Sequence, residues 1–141
     1  MDPVLTLSDT MDEATRVAIG QSLMQHNIEK AGYWDSRPLV VLVSDPATGK
    51  IVGGLRGHTS LGLFFIDTLT LPAELRGKGT GSRMLRLAED EARRRGCRNA
   101  VLYTISFRAP GFYERNGYRE FGRVACDPPG TFRHFFSKSL E

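Results

Sequence analysis

A glycine-rich turn constrains this chain more than any other stretch. Residues 74–84, ELRGKGTGSRM, hold three glycines and three basic side chains between an apolar run and a segment with helical spacing. Glycines let the backbone adopt positive φ and approach a ligand closely, and the free N–H groups at a helix start bind phosphate oxygens with help from the helix dipole. The turn therefore predicts a pyrophosphate-binding loop. The alternative is a glycine-rich connection that only permits tight packing.

Two better-known phosphate-binding motifs are absent from this turn. The P-loop requires Gly-Lys followed by Ser or Thr, whereas Lys78 is followed by Gly79. The dinucleotide fingerprint G-x-G-x-x-G is also missing. The loop therefore belongs to neither of those classes.

The length and charge of the chain limit its class. With 141 residues and 40% hydrophobic content, residues 1–141 fit one compact domain with a single core. Residues 1–70 carry 5 Lys+Arg and 8 Asp+Glu, and residues 71–141 carry 14 and 8, so the two halves have net charges of −3 and +6. The basic half contains the glycine turn, which suits an anionic ligand. Acidic residues alternate with the basic ones, so we expect no nucleic-acid partner.

Several other classes are disfavoured. Cys97 and Cys126 form neither a disulfide framework nor a pair of closely spaced metal ligands, and no metal site is predicted. No leader opens the chain, and no apolar run approaches the roughly 20 residues that a membrane span needs. We expect a cytoplasmic protein without a membrane partner, and a homodimer is left open.

The first third of the chain is expected to hold a strand and two helices. Residues 3–8, PVLTLS, have the pattern of a short strand, and a capping box formed by Thr10 and Glu13 then begins a helical region. Gly20 weakens the helical spacing, which favours two shorter helices ending near Gly32.

The rest of the chain predicts a mixed sheet. Three β-rich runs follow, PLVVLVSD, KIVGGLRGHTS and LGLFFIDTLTL, and the first two form a hairpin. A helix comes after the glycine turn and ends at Gly96, and the buried strand NAVLYTIS then lies parallel to the strand before that helix. A short helix with Pro110 in its first turn precedes two final antiparallel strands, YREFGRVA and TFRHFFSKSL.

Two motifs resemble the GNAT N-acetyltransferase superfamily. Arg76, Gly79 and Gly81 match its Arg/Gln-x-x-Gly-x-Gly/Ala signature. The stretch APGFYERNGY is similar to a second family segment, with these residues in place: Ala109, Tyr113, Glu114, Arg115, Gly117 and Tyr118. The resemblance covers nearly the whole chain. It implies an α/β single-domain GNAT-like fold, with a mixed, mostly antiparallel sheet splayed between the fourth and fifth strands and flanked by helices.

The resemblance also implies an acetyl-CoA site. The pantetheine arm would pair with the backbone around Leu69 and Leu71, and the Leu71 N–H would face the thioester carbonyl. Ser106 stands where many members carry an Asn that contacts the cofactor, and its hydroxyl has a shorter reach. The resemblance assigns pyrophosphate binding to consecutive residues of the glycine turn: Arg76, Gly77, Lys78, Gly79, Thr80, Gly81 and Ser82.

Acetyl transfer to an amine needs a base and an acid. An amine with a pKa near 10.4 must lose a proton before it attacks, and the departing thiolate must gain one. Tyr113 is the candidate acid, with ring packing as the alternative. Asp67 is the candidate base, since it matches a family position that works through water; it could instead face solvent or pair with an arginine. His58 is expected at the surface, and His134 is expected to lack supporting neighbours.

The sequence therefore predicts an acetyl-CoA-dependent N-acetyltransferase that acts by direct transfer on a small-molecule, polyamine or peptide amine. The alternative is a noncatalytic acyl-CoA-binding or sensor module of the same fold. The presence of both Tyr113 and Asp67 favours the enzyme.

Overall fold

The computed structural model describes residues 1–141, and contacts divide them into two compact units, residues 1–34 and residues 35–141. The first unit holds one helix, and the second holds a six-stranded sheet with two helices and a short 3-10 turn. None of the helices combines the length and apolarity that crossing a membrane requires.

The helix of the first unit is α1 (Glu13–Ala31). Asp12 caps its start, because the carboxylate accepts a hydrogen bond from the Thr15 N–H at 2.8 Å. Gly32 follows its last turn in the left-handed conformation, and its N–H bonds the Ile28 carbonyl. The predicted helix end near Gly32 is confirmed.

Three predictions for this unit are wrong. Residues 3–8 form no strand, because alternation alone makes no strand without a partner to complete the ladder. Asp12 replaces Thr10 as the capping residue, since it stands directly before the first helical residue. Gly20 does not divide the helix, because a single interior glycine costs only about 1 kcal/mol relative to alanine.

The second unit has one sheet with the strand order β1-β2-β3-β4-β6-β5. Only β3 and β4 run parallel, and α2 connects them. The predicted mixed, mostly antiparallel sheet is confirmed, with six strands rather than seven because residues 3–8 contribute none. The elements of this unit are β1 (Arg37–Ser44), β2 (Ile51–Ser60), β3 (Leu63–Thr70), a 3-10 turn (Ala73–Leu75), α2 (Thr80–Arg94), β4 (Asn99–Ile105), α3 (Pro110–Arg115), β5 (Arg119–Cys126) and β6 (Thr131–Ser139).

Helix α2 buries one face against β1, β2 and β3. Its buried apolar residues recur every three or four positions, so they form one stripe along the helix. Each large side chain fully buried in this core contributes about 1.5–3 kcal/mol. The stripe consists of Met84, Leu85, Ala88 and Ala92.

A buried polar cluster fastens α2 to the end of the sheet. Glu89 on α2 accepts hydrogen bonds from the Tyr118 hydroxyl at 2.7 Å and from Lys138 Nζ at 2.9 Å. Lys138 also donates to the Asn116 carbonyl at 2.9 Å. Burial, reinforced by the Glu89 carboxylate, raises the pKa of Tyr118, so the phenol stays protonated and keeps donating.

Candidate active site

The sheet opens between its two parallel strands. The ladder between β3 and β4 has four residue pairs and ends at Ile66 opposite Leu102. Strand β3 nevertheless continues to Thr70, and β4 continues to Ile105. Beyond Ile66 each strand is paired only on its outer side, so a gap opens between their carboxyl ends. This gap is the predicted splay.

The glycine turn forms a cradle of free N–H groups beside this gap. Gly77 and Gly79 have φ of +76° and +80°, and this conformation directs successive backbone N–H groups toward one concave side. Gly79 is the N-cap residue of α2, and no side chain caps the helix. The N–H groups of residues 77–82 donate no hydrogen bond within the protein. They are therefore available to an anion.

Basic side chains around the cradle have no carboxylate partner. Arg76, Lys78 and Arg83 are exposed and take part in no ion pair. Arg76 donates through Nε to the Leu71 carbonyl at 2.9 Å, which fixes the turn between β3 and α2. The charge and the free N–H groups together suit a pyrophosphate.

Gly81 sets the distance between α2 and α3. A Cβ atom there would lie 3.0 Å from Phe112 Cζ and 3.9 Å from Leu71 Cδ1, so only glycine lets the Phe112 ring approach this closely. The contact brings the start of α2, the end of β3 and α3 together. Tyr113 is the next residue along α3, so the structure places it beside the cradle.

Tyr113 is buried in an aromatic cluster but keeps its hydroxyl unbound. Its ring centroid lies 5.1 Å from that of Phe112, 5.8 Å from that of Tyr118 and 6.0 Å from that of Phe136. The hydroxyl makes no hydrogen bond, yet no fully buried side-chain atom lacks a partner, so this oxygen reaches open space. Burial raises the pKa of Tyr113, with Arg108 partly opposing the shift. The phenol is therefore a protonated donor at neutral pH.

Asp67 is the extra residue of a β-bulge at the mouth of the gap. Gly57 pairs with Ile66 and Arg56 pairs with Thr68, so no residue of β2 stands opposite Asp67. The Asp67 side chain is 45% exposed, and its Oδ2 lies 3.5 Å from Nδ1 of His58. Half-exposed Asp67 is thus in contact with solvent.

The bulge also changes which residues of β3 face the core. Phe64 and Ile66 are buried before it, and Leu69 and Leu71 pack on the core after it. The Leu71 N–H, just beyond the strand, donates no hydrogen bond within the protein. The leucine side chains are therefore structural, while the Leu71 backbone is free.

Ser106 lies at the other side of the gap, and its hydroxyl is fully occupied. Its Oγ accepts from the Phe132 N–H at 2.9 Å and lies 3.1 Å from the Phe132 carbonyl and 2.9 Å from His134 Nε2. His134 Nδ1 donates to Glu120 Oε1. Hydrogen bonds from Arg123 and then His134 lower the pKa of Glu120. A carboxylate only accepts, so the hydrogen of this bond is on Nδ1, and the ring contacts the Ser106 hydroxyl through Nε2.

A model of the acetyltransferase (GNAT) family matches residues 6–118. The chain belongs to this family. Members transfer an acetyl group from acetyl-CoA to an amine, and this GNAT protein is an N-acetyltransferase of that kind.

Similar proteins agree with this membership. An acetyltransferase of Agrobacterium fabrum is 35% identical over 118 residues, which are 84% of this chain and 85% of the relative. A blasticidin-S acetyltransferase of Streptomyces morookaense is 38% identical over 109 residues, or 75% of this chain and 80% of the relative. A crystal structure of an acetyltransferase from Bacillus cereus has a TM-score of 0.78 and 31% identity, with 95% of this chain and 97% of that one covered.

The sequence missed two contacts of this GNAT protein. His134 was expected to lack supporting neighbours, which is wrong, since it bonds both Ser106 and Glu120. His58 is half exposed, as expected, but it also contacts Asp67. The signal for both lies in strand pairing: Thr104 stands opposite His134, and Phe65, two residues before Asp67, stands opposite His58.

Proposed function

We propose that residues 1–141 act as a single N-acetyltransferase domain that moves an acetyl group directly from acetyl-CoA to an amine in the gap between β3 and β4. The observation that carries this proposal is the early end of the ladder at Ile66, with the cradle following directly after β3. A thioester held by its pyrophosphate at residues 77–82 and extended into the gap would lie along the Leu69–Leu71 backbone.

The cradle supports the proposed position of acetyl-CoA. The free N–H groups of residues 77–82 bind the phosphate oxygens, and Arg76 and Lys78 add positive charge. Ser106 is the weakest member of the proposed set. Its hydroxyl contacts the donor only by giving up a bond to Phe132 or His134.

Three groups supply the chemistry. Asp67 accepts the proton of the acceptor ammonium through water, which frees the nitrogen lone pair. The Leu71 N–H stabilises the negative charge that develops on the carbonyl oxygen. Tyr113 donates its hydroxyl proton to the departing sulfur as the C–S bond breaks, and its raised pKa keeps that proton available across the physiological range. The proton that the attacking nitrogen loses as the amide forms returns to Tyr113 through water, so the products are the amide, the CoA thiol and one proton on Asp67. No covalent acyl-enzyme is required.

We propose a cytoplasmic location, no nucleic-acid partner, and monomer and homodimer as the two assemblies to distinguish. Light scattering tests the assembly. One relative is named a blasticidin-S acetyltransferase, so blasticidin S is the first acceptor amine to test.

An amine panel assayed for release of free CoA thiol tests the activity. Acetyl-CoA and the protein are mixed with blasticidin S, polyamines, amino acids and short peptides. We expect at least one amine to raise thiol release well above the rate without acceptor, with the acetylated product seen by mass spectrometry. Release that stays at the rate without acceptor for every amine would contradict the proposal.

Gly79→Asp tests the cradle. The carboxylate would repel the phosphates, so we expect acetyl-CoA affinity to fall several-fold or more in calorimetry. Gly79→Asn is the matched control, because it has the same shape and similar tolerance of positive φ without the charge. Equal affinities of the Asp and Asn variants would remove residues 77–82 from the pyrophosphate site.

A further inference from the structure

A groove lies on the opposite face of the sheet from α2. Leu39 and Leu55 face the core, so alternation turns their neighbours Val40, Leu42 and Arg56 to the other face. There Val40 and Leu42 are 50% and 60% exposed. They form, with Gly54, Arg56, Thr68 and Thr70, a groove of about 310 Å³.

The groove borders the proposed reaction position. Thr68 and Thr70 form its β3 side, and they flank Leu69, whose backbone belongs to the proposed donor path. Thr70 directly precedes Leu71, and Asp67 directly precedes Thr68. A ligand in the groove therefore contacts Thr68 and Thr70, the residues adjacent in sequence to the proposed base and the proposed oxyanion donor, which makes the groove a suitable acceptor site if the proposed function holds.

Arg56 is the one charged residue that lines the groove. Its one side-chain hydrogen bond goes from Nη2 to the neutral Thr68 Oγ1 at 3.3 Å. No carboxylate lies within 4 Å of its guanidinium, although Asp67 is the neighbour of its cross-strand partner. An exposed guanidinium with unused donors is suited to binding a carboxylate through two parallel hydrogen bonds.

Opposite charges thus lie on neighbouring positions of two adjacent strands without pairing to each other. Asp67 favours an ammonium group, and Arg56 favours a carboxylate. We propose that the acceptor is a small amine that also carries a carboxylate, and that Arg56 binds this carboxylate while the amine lies toward Asp67. This inference rests on the proposed function and specifies its substrate class.

Matched acceptors test the inference. Free amino acids and their carboxamides, which differ in one charged group, are compared as acceptors by kcat/KM for CoA release. We expect the preferred amino acid to exceed its carboxamide by about 10- to 100-fold, as for hydrogen bonds to a charged group. In Arg56→Gln the ratio between acid and carboxamide should fall toward one.

Arg86→Gln is the control variant, since Arg86 is an exposed arginine of α2 outside the groove, and it should keep the wild-type ratio. Equal rates with acids and carboxamides in the wild type would overturn the inference and leave the proposed function standing, as would an unchanged ratio in Arg56→Gln. Failure of every amine to release CoA would overturn both.

Discussion

The two sides of the gap differ in how their polar groups are used. On the β3 side, Asp67 is half exposed with only His58 near its carboxylate, and the Leu71 N–H has no partner. On the β4 side, the Ser106 hydroxyl contacts the Phe132 N–H, the Phe132 carbonyl and His134 Nε2, and His134 behind it is held by Glu120. One side keeps polar groups free for a ligand, and the other is locked in place. In such a site the β3 side supplies the reactive groups and the β4 side supplies the rigid wall.

The difference has a local cause on each side. The bulge leaves Asp67 without a cross-strand partner, and β3 ends before Leu71, so the Leu71 N–H stays free. Beyond the gap, β4 stays paired with β6 through Ile105, and Ser106 extends that pairing through its N–H and hydroxyl. Substitutions on the β3 side should therefore change catalysis, and substitutions on the β4 side should change stability.

The largest expected effect comes from Tyr113, the buried residue whose hydroxyl is free. Tyr113→Phe keeps the ring contacts and removes only the proton donor. We expect kcat to fall about 10²-fold, the lower end for general acid catalysis because a thiol is already a fair leaving group. Acetyl-CoA affinity and melting temperature should change little. If Tyr113→Phe kept the wild-type kcat across the pH range, Tyr113 would have only a packing role.

Asp67→Asn should have a smaller effect on the same reaction. We expect kcat to fall about 10-fold, below the usual range for a general base because a half-exposed site leaves water able to take the proton. The loss should shrink as pH rises and more acceptor is already neutral, while melting temperature stays close to wild type. A pH-independent loss, or a variant that loses stability instead, would remove Asp67 from the base role.

His134→Ala should destabilise the β4 side of the gap. It removes the partner of both Ser106 and Glu120, so we expect a loss of about 1–3 kcal/mol in the free energy of unfolding, measured by urea denaturation. Thr10→Ala, outside the cap of α1, is a control that should stay near wild type. Loss of kcat without loss of stability would show that His134 serves the chemistry instead.

The pH dependence of that side follows from Glu120. Its pKa is lowered in the folded protein, first by Arg123 and then by His134, so the stabilisation is present above the ordinary glutamate pKa of about 4.3 and lost as pH falls through the folded value. The stability difference between wild type and Glu120→Gln should therefore be seen at neutral pH and vanish in acid. Thermal melts from pH 7 to pH 3 check this, and a difference that grows in acid would contradict it.

The smallest effect is expected from the cysteines. Burial raises the pKa of Cys97, so it stays a protonated core thiol, and Cys126 lies at the end of β5. Replacing both, as Cys97→Ala with Cys126→Ser, should leave kcat within a small factor. An acetylated cysteine detected by mass spectrometry in the wild type would instead support a covalent route.

Local signals made much of this architecture predictable. The glycine turn, the apolar stripe of α2 and Pro110 at the start of α3 act over a few residues, and each led to the right element. The first strand failed because alternation in residues 3–8 says nothing about a partner. The prediction of two helices divided at Gly20 was wrong because one unfavourable residue is outweighed by the rest of a 19-residue helix.

Long-range pairing explains what the sequence did not show at the site. Ser106 and His134 are 28 residues apart and meet only because β4 and β6 pair in one register. Asp67 is visible in the sequence as a carboxylate within the apolar run LGLFFIDTLTL, but its unpaired position depends on which residues of β2 stand opposite. The free state of Arg56 likewise follows from the structure, since nothing in GGLRGH shows the absence of a carboxylate partner.

The bulge at Asp67 shifts the inward–outward alternation of β3 by one residue. Inward positions are even-numbered before it and odd-numbered after it, so one unpaired residue decides that leucines enter the core and threonines line the groove. Deleting Asp67 would leave these faces unchanged, because Ile66 inward, Thr68 outward and Leu69 inward already alternate once the extra residue is gone. The deletion would remove the carboxylate and the local bend of β3 while keeping the leucines in the core and the threonines at the groove. The fold therefore does not need a residue at this position, and what the bulge adds to β3 is the carboxylate itself.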